Sequence, residues 1–296
     1  MHRLLLRTFS LAIIAVALSS FSGTSMAADA SPKTSAVPEA SSANNPAWKE
    51  YKKLLENYYF LDKQKAGHIS CRLSSAALQD YIDNMRQKAG NKLILDENLH
   101  DFSVTYDHKK GLSFDSPHLK ISFSPNIKLN NPEGAERGRQ MAEKGFDGSV
   151  HGVEVLITDT LTDMILPSPE TSKNLSLTKN GDVIVVAFDD DNVHEKVKYS
   201  GSTQEKTMSS PTFNVTGTSD YQPLNGKLAL AHLASETTIG STKIKGTTSV
   251  SYQDLGSAFF PAQILSDVTA SEDIQQPNTE HLEIDLKDCK TSDLSP

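Results

Sequence analysis

The sequence predicts an α+β protein dominated by one antiparallel sheet of about ten strands, strongly curved, with two or three helices packed on its concave face. Three observations lead there. Apolar residues recur every three to four positions in two segments before residue 90, and the period then switches to two from Phe102 onward. The second half is a succession of short alternating runs separated by polar turns. Asn180-Gly181 between two such runs is a strong hairpin signal, because that pair tolerates the positive φ angles of a type I′ turn. So many antiparallel strands joined by short turns form either a sandwich or a single sheet wrapped around the helices.

At the N-terminus, Arg3 and Arg7 precede the apolar run Leu11 to Leu18, and Ser25-Met26-Ala27 places small side chains where a peptidase needs them. Residues 1–27 are therefore expected to be a cleaved signal peptide, with the mature chain beginning at Ala28 in the periplasm or outside the cell. A spanning helix needs about 20 apolar residues, and this run gives way to Ser19, Ser20, Ser22 and Gly23. No later segment is long and apolar enough to span a bilayer, so no transmembrane segment is expected in the mature chain. Residues 28–46 hold 12 Ala, Ser or Pro among 19 positions and read as a flexible tether with nothing to bury. The ordered part is expected as a single domain over 47–290, followed by a disordered tail at 291–296.

Cleavage would leave 27 basic against 37 acidic residues, a net charge of −10. Phosphate backbones select basic faces, so nucleic acid is excluded as a partner. The two cysteines, Cys71 and Cys289, would sit in an oxidising compartment, where an even count reads most simply as a disulfide. The other reading is two buried free thiols. A bond would make the strand around Cys71 and the strand at Leu282–Leu286 neighbours, or make them end beside each other, since the two Cβ atoms must come within about 4 Å.

Trp48, Tyr51, Leu55, Tyr58 and Tyr59 define the apolar face of a first helix, which Pro46 is suited to start. A short strand carries Cys71. A second helix follows from about Ser75 to Ala89, with Leu78, Ile82 and Met85 inward, Tyr81 alongside and Gly90 at its end. Phe102 to Tyr106, Leu112 to Phe114 and Leu119 to Phe123 read as a three-stranded meander with one buried face. A helical pattern covers about Glu133 to Leu166, with Val150, Val153, Ile157, Leu161 and Met164 on one stripe. Gly145, Gly148 and Gly152 predict two helices or one kinked helix there, and Pro167 ends it. The remaining alternating runs lie at 175–188 and around Val197, Phe213, Leu228, Val250, Ile264 and Leu282 to Leu286.

Motifs for chemistry are absent. No Gly-x-Ser-x-Gly elbow, His-Glu-x-x-His helix or Gly-rich phosphate loop occurs, and no cofactor or metal is expected. His100 and His108, with Asp101 and Asp107 beside them, flank one strand, but eight residues span about 26 Å, too far for one metal. Asp189-Asp190-Asp191-Asn192 with Glu195 gathers oxygen atoms that suit calcium, yet lacks the spacing and central Gly of an EF-hand, so an acidic turn is the reading. Cys71 as a nucleophile would be consumed by the disulfide.

The helix carrying Trp48 and Tyr51, which leads into a meander, and above all the stretch GTTSVSYQDLGSAFFPAQI at Gly246–Ile264 resemble the periplasmic lipoprotein-carrier superfamily, the LolA/LolB-type half-barrels. That resemblance implies an incomplete antiparallel barrel with helices plugging its concave face and acyl chains held between them. The stripe Val150, Val153, Ile157, Leu161, Met164 then has two readings, plain core packing or the lining of an apolar cavity. The expected role is binding rather than catalysis: capture of a lipid or other apolar ligand, with a part in cell-envelope transport. The alternative is an extracytoplasmic scaffold or adaptor that docks a protein partner through a sheet edge or the tether. A hydrolase site assembled from residues distant in sequence stays open.

Overall fold

A computed structural model describes residues 46–162, 173–190, 192–271 and 278–293. The expectations for residues 1–27 and for most of the 28–46 tether lie outside these residues, as do Met164, Pro167 and Asp191. Three helices are described: α1 (Pro46–Leu55), α2 (Ala76–Ala89) and α3 (Pro132–Thr162). The strands before α3 are β1 (Ala66–Ser75), β2 (Leu93–Glu97), β3 (Ser103–Asp107), β4 (Gly111–Asp115) and β5 (Leu119–Phe123). After it come β6 (Lys173–Asn180), β7 (Val183–Asp190), β8 (Val193–Ser200), β9 (Thr203–Ser209) and β10 (Phe213–Leu224). The longest run closes the chain: β11 (Lys227–Ile239), β12 (Thr242–Asp254), β13 (Phe259–Ser271) and β14 (Asn278–Asp293).

Twelve of these strands form one sheet in the order β4-β3-β1-β14-β13-β12-β11-β10-β9-β8-β7-β6, and β2 pairs with β5 separately. The α+β class and the dominance of antiparallel pairing therefore hold. The strand count and the shape differ from expectation: the sheet is open, and it is neither closed nor strongly curled. Curling a sheet takes bulges repeated from strand to strand. Here the ladders β7–β8, β8–β9, β9–β10, β11–β12 and β13–β14 run without a register shift. The expected meander is also broken, because β5 leaves β4 and pairs with β2, Leu95 facing Ile121.

β6 to β14 form an uninterrupted meander, and its tight turns explain themselves residue by residue. The β6–β7 hairpin closes with Asn180 paired to Val183, so the central residues are Gly181 and Asp182, one position later than expected. Only Gly181 has positive φ, at 60°, which is the pattern of a type II′ turn. The type I′ geometry occurs instead between β10 and β11, where Asn225 (φ 49°) and Gly226 (φ 75°) are both left-handed.

The first and last strands meet as the cysteines predicted. β1 lies between β3 and β14, with Leu73 opposite Leu286 and Ser75 opposite Ile284. Cys71 and Cys289 are bonded across this pair, their Cα atoms 4.1 Å apart. A bulge between Ser70 and Arg72 adjoins the bond, and Asp288 there has φ 53°. Past the bulge β14 continues to Asp293, which faces Ala66. Residues 291–293, expected in the disordered tail, are thus strand, because β1 offers them a ladder.

The helices lie on one face. α1 ends at Leu55, so Tyr58 and Tyr59 are not on the helix that the spacing suggested; Tyr58 instead forms a parallel bridge with Leu228. α2 matches its prediction, with Leu78 and Ile82 fully buried and Gly90 ending it at φ 53°. α3 is one unbroken helix over its described residues despite Gly145, Gly148 and Gly152. Each glycine costs a helix about 1 kcal/mol. The fully buried Phe146, Val153, Leu156 and Ile157 on the same segment outweigh that, since burying such side chains is worth about 1.5–3 kcal/mol each. Asn131 Oδ1 accepts the Gly134 N–H at 2.9 Å and so caps the helix start.

Candidate functional site

The stripe of α3 is the layer between helix and sheet. Val150, Val153 and Ile157 are 4%, 0% and 0% exposed and belong to one continuous buried core. Tyr81 of α2 donates its hydroxyl to Ala142 O at 2.7 Å and packs on Phe146, which ties α2 to α3. At the other end of the stripe the packing opens. Leu161 is only partly buried and, with Thr160, lines a cleft shared with Tyr59, Phe60, Tyr221 and Tyr252. The cleft holds about 50 Å³, room for a few water molecules. Among the described residues no charged side chain lines it.

The segment after α1 builds one wall of this cleft. Tyr59 N–H donates to Leu228 O and Leu228 N–H donates to Asn57 O, both at 2.8 Å, so the segment is stitched to the start of β11. Tyr59 Oη donates to Phe259 O and accepts the Phe259 N–H, each at 2.8 Å, which clips the same segment to β13. Behind it, Tyr58 stacks edge-on against Tyr221 with centroids 5.0 Å apart, and Tyr51 and Tyr199 share a hydrogen bond of 3.0 Å. The Tyr221 hydroxyl donates to Gln204 Oε1. Burial pushes the phenols of Tyr58 and Tyr59 up to about 12, because the phenolate would lose its hydration.

No family model matches the chain, and neither does any curated protein or solved structure. The site therefore has to be read from its own geometry.

The other residues singled out in the sequence do not assemble with this cleft. His100 and His108 stand at opposite ends of β3, as their spacing required; His100 pairs with Asp101 at 3.3 Å. Asp107 Oδ1 accepts the N–H groups of Lys109 and Lys110, which hold its carboxyl below the usual range. Asp189 and Glu195 point to opposite sides of the sheet. Asp189 bonds to Asn174 and His194 on the outer face, while Glu195 turns inward to Lys206 at 2.8 Å, both side chains nearly covered. A shared calcium ion between those two carboxylates is thereby excluded. Among the described residues no group of three His, Cys, Asp or Glu could hold a metal ion.

Sequence reasoning missed the aromatic wall made by Tyr59, Phe60 and Tyr252. The spacing of Tyr59 places it on a helix face, and nothing local shows that residues 57–59 leave the helix to join β11.

Proposed function

We propose that the protein is an exported binding protein that holds an apolar chain, such as a lipid acyl chain, between α3 and the sheet. The resemblance to half-barrel lipoprotein carriers agrees with this reading, and so does a role in envelope transport. The observation that carries it is the cleft at Leu161, Tyr59, Phe60 and Tyr252, without a charged side chain among the described residues and continuous with the apolar layer beneath α3. At about 50 Å³ it admits only a chain end in this state. Full uptake requires Leu161 and the end of α3 to move off β11, widening the cleft towards the several hundred Å³ of ordinary ligand pockets.

Titration with a fluorescent polyene fatty acid tests this, together with native mass spectrometry for co-purifying lipid. Leu161→Glu places a charge in the cleft and is expected to lower uptake at least tenfold while leaving the fold intact. A wild-type protein that neither carries lipid nor enhances the probe's fluorescence overturns the proposal.

A second reading, an adaptor that docks a protein partner, is favoured by the two edge strands, β4 and β6, each with one strand partner among the described residues. Open edges accept an added strand. β6 carries Lys179 and a register shift between Lys173 and Ser176, devices that discourage promiscuous pairing. Pull-down from envelope extracts with and without residues 28–46 separates the two readings.

A further inference from the structure

On the outer face of the sheet, away from the cleft, β7, β8 and β9 place three residues directly opposite one another. Asp189 pairs with His194, and His194 pairs with Ser209. Residues in one cross-strand row project to the same side with Cβ atoms about 5 Å apart. His194 Nδ1 lies 2.5 Å from Asp189 Oδ1. Asn174 Nδ2 donates to Asp189 Oδ2 at 2.7 Å, so the carboxylate is fixed on its far side as well. With Nδ1 engaged, Nε2 is the ring nitrogen left to act as a base; among the described residues no hydrogen bond joins it to Ser209, its cross-strand neighbour. Ser209 is half-buried, and its hydroxyl has no hydrogen bond among the described residues. On its other flank Ser209 faces Asn214, whose exposed amide is likewise without a partner among them. His194 and Ser209 border an open depression of about 390 Å³ whose other walls are Asn192, Ser210 and Pro211.

From this row we infer that Ser209, His194 and Asp189 form a hydrolytic site for short-chain carboxylic esters, with Ser209 as nucleophile, His194 as general base and Asp189 orienting the imidazole. Such constellations are recognised by geometry and roles rather than by sequence order. Ser209 Oγ attacks the ester carbonyl carbon while His194 Nε2 takes the hydroxyl proton. The carbonyl oxygen, now negative, takes as its hydrogen-bond donor the amide of Asn214, the cross-strand neighbour of Ser209. The carbon–oxygen bond to the alcohol breaks, and His194 returns the proton to the departing alkoxide. Water then attacks the acyl-serine, His194 takes its proton, the acid leaves, and the proton returns to Ser209. The net reaction is ester plus water giving acid plus alcohol. The class of substrate follows from the walls: small polar side chains and one proline offer no apolar slot for a long acyl group.

A neighbouring row supplies an internal control. Asp220, His232 and Ser249 are also aligned across β10, β11 and β12. There His232 Nδ1 faces Ser249 Oγ at 3.1 Å, and Asp220 accepts the Thr203 hydroxyl at 3.0 Å instead of holding the ring. The same three residue types are present without the acid–imidazole bond that orients a base.

The test uses a fluorophosphonate probe and p-nitrophenyl acetate on the intact protein. Phosphonylation mapped by mass spectrometry to Ser209 is expected, with Ser249 unlabelled. Ser209→Ala and His194→Ala are expected to hydrolyse the acetate at least about 100-fold more slowly, the low end of what a positioned general base contributes. Asp189→Asn lowers kcat with KM unchanged, and Ser249→Ala changes neither. Labelling absent from Ser209, or a Ser209→Ala protein that hydrolyses at the wild-type rate, overturns the assignment. The probe reads the unmodified protein, so the result does not depend on the variants folding.

Discussion

Replacing Cys71 and Cys289 together by alanine opens a covalent loop between residues 218 apart in sequence. Chain-entropy reasoning assigns a loop of that length about 5 kcal/mol of stabilisation, an upper figure because engineered and native bridges commonly deliver less. The β1–β14 ladder survives the substitution, and Cys71 is buried, so small alanines leave little empty space. With a urea m-value of about 3 kcal/mol per molar, the full loss moves the unfolding midpoint down by roughly 1.7 M, and half of it by roughly 0.8 M. The measurement is urea unfolding of the wild type, the double variant and the wild type under reductant, followed by far-UV circular dichroism. Because the bridge acts on the unfolded chain, the double variant and the reduced wild type should share one midpoint and one slope, the slope no smaller than that of the bridged protein. The reasoning fails if the bridged and unbridged midpoints agree within about 0.3 M, or if the unreduced, denatured wild type titrates as two free thiols.

Three further outcomes are expected. Ile157→Ala empties a fully buried position under α3 and costs about 2–5 kcal/mol, whereas Met141→Ala on the exposed side of the same helix stays within about 0.5 kcal/mol; thermal unfolding of the pair distinguishes them. Gly226→Ala forces a Cβ into the left-handed second position of the β10–β11 turn and costs about 1–2 kcal/mol, which chemical denaturation resolves. The phenols of Tyr58, Tyr59 and Tyr81 lie at about 12 in the folded protein against about 10 when unfolded, so their contribution is complete below pH 10 and is lost as the pH rises from 10 to 12. Absorbance at 295 nm should show these tyrosines un-ionised at pH 11 in native protein and ionised in urea; superimposed curves would contradict it.

Much of the architecture was legible because it is written in period and in pairs. α2 carried both its apolar stripe and its terminating glycine, and the two cysteines identified β1 and β14 as neighbours across the whole chain. Two strands escaped for physical reasons. β2 is a run of Leu93-Ile94-Leu95 that does not alternate, and β9 turns Gln204, Lys206 and Met208 inward, so its buried face does not read as apolar. The continuity of α3 was hidden by its glycines, whose cost is local while the packing that repays it is not. That the sheet does not curl strongly was hidden because curvature is set by where bulges fall, and bulges leave almost no trace in sequence. The row Asp189–His194–Ser209 was illegible for a related reason. Its three members come from three strands, and only the register set by two turns brings them level. In the sequence Asp189 reads as part of an acidic turn grouped with Glu195, which alternation sends to the other side of the sheet.

The strand order carries a consequence for how the molecule comes into being. From β6 to β13 each strand finds its next partner a turn away, the kind of local pairing that forms early. β1 is different: it emerges among the first elements during synthesis, yet one of its two neighbours is the last strand of all. Until β14 exists, the small β1-β3-β4 group has an open flank that invites pairing with another chain. A chain halted before residue 278 should leave that group unseated, and refolding should show a slow final phase when β14 is shortened. The 16-residue strand β14 thus joins β1, β3 and β4 to the rest of the sheet only once residues 278–293 have been made.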